Sequence, residues 1–152
     1  MPTRRRFLTA AASLPALALF SRPSFAAQPE VFTTESVAIN GYDPVAYFTQ
    51  GKPVKGNDTH KSSYNGATWH FSSAENKAAF DAAPADFAPQ FGGYCAYAVS
   101  RGYTAPTDPD AWSVYDGKLY LNYSLRAREL WSADIPGNIA KGEANWPAVL
   151  SQ

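Results

Sequence analysis

Cys95, His60 and His70 are the only thiol and imidazole groups in this 152-residue chain. A thiolate with two imidazoles suits copper, zinc or another transition metal. No ligand-spacing motif joins the three, so a metal site on Cys95, His70 and His60 would have to be assembled by the fold. The same cysteine opens a second chemistry. A single cysteine rules out an internal disulfide, so redox work would run through an oxidised Cys95 resolved by an outside thiol. Such a thiol needs a nearby cation or helix N-terminus to favour its thiolate, and Arg101, His60 and His70 are the cations on offer. The plain alternative is a buried thiol that packs as a small hydrophobe.

The surroundings of Cys95 add a third possibility. The run Phe91-Gly92-Gly93-Tyr94-Cys95-Ala96-Tyr97 puts aromatic rings beside the sulfur, and its glycines allow another group to approach closely. Tyr94 and Tyr97 could line an aromatic pocket in which phenol groups orient a small ligand. The remaining tyrosines, Tyr42, Tyr47, Tyr64 and Tyr103 among them, read as core and sheet residues. Asp43-Pro44 and Asp108-Pro109-Asp110 read as turn or helix starts rather than hard-cation ligands. The chain has no Gly-x-Ser-x-Gly elbow, phosphate loop, dinucleotide fingerprint or haem-attachment motif, so the favoured role is binding without catalysis.

These residues need elements to position them. Ser36–Ile39 reads as a short strand, followed by an Asn40-Gly41 turn and a helical turn that Asp43 caps and Gly51 ends. Lys52–Ser63 reads as loop and edge strand. Asn65-Gly66 predicts a hairpin turn into Thr68–Phe71, where Trp69 and Phe71 share a face opposite His70. Ser72 with Glu75 predicts a capping box on the next helix, and Asp86–Gln90 a second short one. Asp116-Gly117 joins the clearest hairpin, Trp112–Tyr115 with Lys118–Tyr123. Ser124 caps a helix that Pro136-Gly137 breaks, and Ile139–Leu150 follows as the last helical segment. The predicted fold is α+β: a small antiparallel sheet with packed short helices.

The N-terminus carries a different signal. Arg4-Arg5-Arg6-Phe7-Leu8, an apolar run over Ala10–Phe20 and Ser24-Phe25-Ala26 fit a twin-arginine export leader. Residues 1–26 are therefore expected to be cleaved and residues 27–152 to form one domain, periplasmic or otherwise exported, without stable membrane insertion. Loss of Arg4, Arg5, Arg6 and Arg22 leaves nine of thirteen basic residues against thirteen acidic ones, a charge of −4. No basic run survives, which argues against nucleic acid as a partner.

Three blocks resemble the YHS domain: Asn40–Phe48, Tyr64–Ser73 and Phe91–Tyr97. Gly117–Tyr123 and Asn145–Pro147 extend the likeness to an exported bacterial branch, the YHS domain-containing (seleno)proteins. The resemblance implies metal handling through paired cysteines in a Phe-Cys-Ser-x-x-Cys pattern. Here those two positions hold Ser72 and Asn76, so the usual soft ligands are missing. It also implies that Cys95 stands where some relatives carry selenocysteine, a sign that the chalcogen binds or reacts. Three functions follow as expectations: a binding domain for a metal ion or small ligand near Cys95, a thiol redox protein, or an interaction module with no ligand.

Overall fold

The computed structural model describes residues 12–13, 15–16 and 27–152. The leader reading over residues 1–26 lies, but for those four positions, outside the described residues. No helix among the described residues is long and apolar enough to cross a membrane.

The described chain is α+β. Strands β1 (Thr33–Thr34), β2 (Val37–Ala38), β3 (Asn57–Tyr64) and β4 (Ala67–Phe71) form a sheet ordered β1-β2-β4-β3. The β3–β4 hairpin is antiparallel and turns at Asn65-Gly66, both left-handed, while β2 pairs with β4 in parallel. Strands β5 (Asp108–Tyr115) and β6 (Lys118–Asn122) form a separate hairpin around Asp116-Gly117. Helices α1 (Ala46–Thr49), α2 (Ala74–Ala82), α3 (Pro84–Phe87), α4 (Ala96–Ser100), α5 (Leu125–Ser132) and α6 (Ile135–Asn145) complete it.

Strand β6 is buried on both faces, which explains its unbroken apolar run. Leu119 and Leu121 join one core with Trp69, Phe71 and Phe80 of the four-stranded sheet. Tyr120, between them, joins a second core with Phe91, Val99 and Trp131. The period of two sorts neighbouring residues into different cores. Asn122 falls on the Tyr120 side, facing α4.

Several elements depart from the sequence reading, the last helix among them: it ends at Asn145, and a separate 3-10 turn follows at Ala148–Ser151. Ser73, not Ser72, caps α2, its hydroxyl accepting from Asn76 N–H at 3.1 Å. Asp86–Gln90 is replaced by α3, started by Pro84, and a 3-10 turn at Gln90–Gly93. Pro136 does not break a helix but opens α6, because a residue without an N–H loses nothing in the first turn. Asp108-Pro109-Asp110 lies in β5, where a register shift between Asp108 and Trp112 accommodates the proline.

Ser72 is diverted from capping by Asp43, which is fully buried. One carboxylate oxygen of Asp43 accepts from Val45 N–H at 2.9 Å and Ala46 N–H at 3.3 Å, at the head of α1. The other accepts from Ser72 N–H at 2.8 Å, Ser72 hydroxyl at 2.7 Å and Asn76 Nδ2 at 2.8 Å. One side chain thus ties α1, the end of β4 and the first turn of α2. Asp43→Asn puts an amide donor against donors and leaves buried groups unpaired, so it is expected to cost about 3 kcal/mol in urea unfolding. A loss below about 1 kcal/mol would show that the knot is dispensable.

Burial also raises the phenols of Tyr47, Tyr94 and Tyr120 above the usual tyrosine value. Tyr47 and Tyr94 donate to the carbonyls of Pro109 at 3.0 Å and Pro29 at 2.7 Å. A group held neutral in the folded chain stabilises fully below its unfolded value, near 10, and loses that contribution as pH rises past it. Stability is therefore expected to fall steeply above about pH 10. Tyr47→Phe should flatten that fall while costing about 1 kcal/mol at neutral pH, measured by unfolding across the alkaline range.

Candidate functional site

The path to Cys95 begins with three consecutive left-handed residues, Phe91, Gly92 and Gly93 (φ 57°, 64° and 82°). A β-carbon at Gly92 would collide with the carbonyl of Glu30, and one at Gly93 would meet Ile39 Cγ2 at 2.5 Å. Glycine is required here for space as well as for backbone angle. The turn sends the chain inward, and Tyr94 is extended at its exit.

Cys95 then caps α4, a helix the sequence reading did not foresee. Its sulfur accepts from Ala98 N–H at 3.5 Å. Its thiol donates to Asn122 Oδ1 at 3.4 Å, an oxygen that also accepts from Tyr97 N–H at 2.9 Å. Asn122 is fully buried, and its Nδ2 finds no acceptor among the described residues. At the far end of α4, Gly102 is left-handed and the chain reverses. Residues 103–107 return past the cysteine as an irregular strap. Hydrogen bonds staple it beside the cysteine: Cys95 N–H to Ala105 O at 3.0 Å, and Thr107 hydroxyl to Gly93 O at 2.9 Å, while Asn40 Nδ2 donates to Thr107 O at 2.9 Å.

Between α4, the strap and the first turns of α5 lies a hollow of about 380 Å³. Its walls are mostly apolar, from Ala98, Ala105, Ala127 and Leu130, with the tyrosines Tyr97, Tyr103 and Tyr123 around them. Cys95 is 2% exposed and is one of the residues that line this space. Tyr103 and Tyr123, at 53% and 59%, stand at its rim. Such exposure of aromatic rings around a concavity marks a binding surface better than a scattered hydrophobe does. Arg126 also lines the hollow, and the Arg101 guanidinium lies over the Tyr97 ring at 5.0 Å.

The sequence candidates divide. Cys95 and Tyr97 share the hollow. Tyr94 lies elsewhere, lining a separate hollow of about 480 Å³ beside Phe32 and Pro106, with its hydroxyl spent on Pro29. His60 and His70 lie half-buried on β3 and β4, where Lys61 pairs with His70. His60 thus lies in the edge-strand part of the Lys52–Ser63 stretch. Among the described residues no group of three or more His, Cys, Asp or Glu is placed to hold a metal ion. Nor do Ser72 and Asn76 offer a free donor set, since both are turned onto Asp43. The donor groups present therefore do not fit the thiolate metal site that the resemblance implies. Asn122, Tyr123 and Leu130 were missed. Asn122 had a faint signal, as the one polar residue ending the apolar run Leu119-Tyr120-Leu121.

No curated protein and no solved structure matches the chain. The matched segment ends at Phe91, four residues before Cys95, so the hollow is built from sequence beyond it. That segment, residues 45–91, matches the YHS domain family.

Proposed function

We propose that the chain is a non-catalytic binding domain that takes a small, largely apolar molecule into the hollow above Cys95. The observation that carries this reading is the hollow itself, an apolar concavity with Cys95 in its lining and exposed tyrosines around it. Its volume sits at the small end of the range for ligand pockets, roughly 300–1,000 Å³. A single ring with a short substituent suits that space. The YHS match over residues 45–91 is consistent with a binding role, and the resemblance read from Phe91–Tyr97, which implies selenocysteine in some relatives at the position of Cys95, favours the sulfur as part of the site. The leader read from Arg4 to Ala26 would place this binding outside the cytoplasm.

The test is a titration of the purified chain with 4-methylphenol and indole, followed by amide NMR. Shifts are expected at Cys95, Ala98, Ala105 and Ala127, and Ala127→Trp, which fills the hollow from α5, should abolish them while leaving the rest of the spectrum intact. Cys95→Ser should bind with an altered affinity and stay folded, since a hydroxyl can both cap α4 and donate to Asn122. Fragments that leave these four amides unmoved, or that bind the Ala127→Trp variant equally, would overturn the reading.

A further inference from the structure

The charge around the hollow restricts its ligand further, and this step rests on the small-ligand reading above. Three tyrosines at one concavity can form a cage for a cation, because ring faces are electronegative. The charged groups here oppose that. Arg126 is the only charged residue that lines the hollow, and no acidic residue does. A second guanidinium, Arg101, stands over the outer wall on the ring of Tyr97. Both lie in a domain whose overall balance from residue 27 onward is acidic, nine basic against thirteen acidic residues. The local sign therefore runs against the global one.

The only ion pair Arg126 makes among the described residues is with Glu129, one turn along α5, at 2.9 Å. Both side chains are mostly exposed, and such a surface pair is weak and easily shared. A guanidinium carries five donors in a planar fork, so a carboxylate can be received without first displacing Glu129. Ser124, also at the wall, accepts from Ala127 N–H at 3.1 Å, which leaves its O–H free to donate to the same carboxylate.

We infer that the hollow selects a small monocarboxylic acid with an aromatic or branched apolar body, the body resting over Cys95 and the carboxylate reaching Arg126 at the mouth. The neutral body supplies affinity through burial, and the carboxylate supplies selectivity.

Three probes of similar shape and different charge test this: phenylacetate, phenylacetamide and benzyltrimethylammonium, titrated at low salt by NMR against the whole domain. The expected order is anion, then neutral, then cation, with the anion at least about fivefold tighter than the amide. That advantage should shrink as salt rises. Arg126→Gln should bring the anion within about twofold of the amide and leave the amide unchanged, while Arg126→Lys should keep part of the preference. If the cation binds as tightly as the anion, or if Arg126→Gln leaves their ratio intact, the acid assignment is wrong while the hollow remains a site. If none of the three moves the amides around Cys95, the hollow and the acid assignment fall together.

Discussion

The left-handed run Phe91-Gly92-Gly93 is the constraint from which the rest of the domain is arranged. A chain seldom holds three successive residues at positive φ, and a non-glycine residue there costs on the order of 1 kcal/mol or more. The cost is met by packing on every side. Gly93 lies against Ile39 in the first core, and the ring of Phe91 lies so close to Gly142 of α6 that a β-carbon there would meet it at 2.6 Å. The N-terminal segment closes the third side, with Phe32 N–H bonded to Gly92 O at 2.9 Å. One turn thus joins two cores and aims the next residues, Tyr94 and Cys95, in opposite directions: Tyr94 toward Pro29, Cys95 toward α4 and the hollow.

Two polar centres follow from this layout, and they differ in kind. Around Asp43 every neighbour donates and both carboxylate oxygens are occupied, which is how a buried charge is tolerated. Such a centre holds elements together and has nothing left to offer a ligand. It involves the very positions, Ser72 and Asn76, at which the YHS resemblance would put cysteines. Around Cys95 the balance is unfinished. The sulfur takes one weak cap bond and gives another, the Asn122 amide has a spare donor, and the facing space is lined by side chains that water solvates poorly. The segment that matches the YHS family contributes the β3–β4 hairpin and the groups that donate to Asp43, which lies two residues before it, while the region after it contributes the concavity.

Local signals in the sequence were reliable where the chemistry was local. Asn65-Gly66 and Asp116-Gly117 each place two left-handed residues at a hairpin turn, and Ser124 caps α5 as its position suggests. The α+β class followed from those units. Where a distant residue decided the outcome, the sequence misled. Ser72 looks like a cap until Asp43, twenty-nine positions away, takes its hydroxyl. Pro136 looks like a breaker until Asp134 is seen to cap a helix starting there, its carboxylate accepting from Gly137 N–H. The site shows the same division. Cys95 and Tyr97 stand out by type and spacing, but Asn122, Tyr123 and Leu130 reach the sulfur's surroundings only through the β6–α5 connection and carry no motif. The histidines drew attention by chemistry alone, and the sheet holds them on β3 and β4.

The account depends on the Cys95 sulfur opening onto a space that a small molecule can enter without unfolding the domain. The direct measurement is the rate at which folded protein is labelled at Cys95 by methyl methanethiosulfonate and by a bulky maleimide, followed by intact mass alongside the global unfolding rate. The account predicts that the small reagent labels the folded chain much faster than unfolding allows, that the bulky one does not, and that 4-methylphenol slows the small reagent. Labelling by both reagents only at the rate of unfolding would contradict it, because the sulfur would then be closed off in the core.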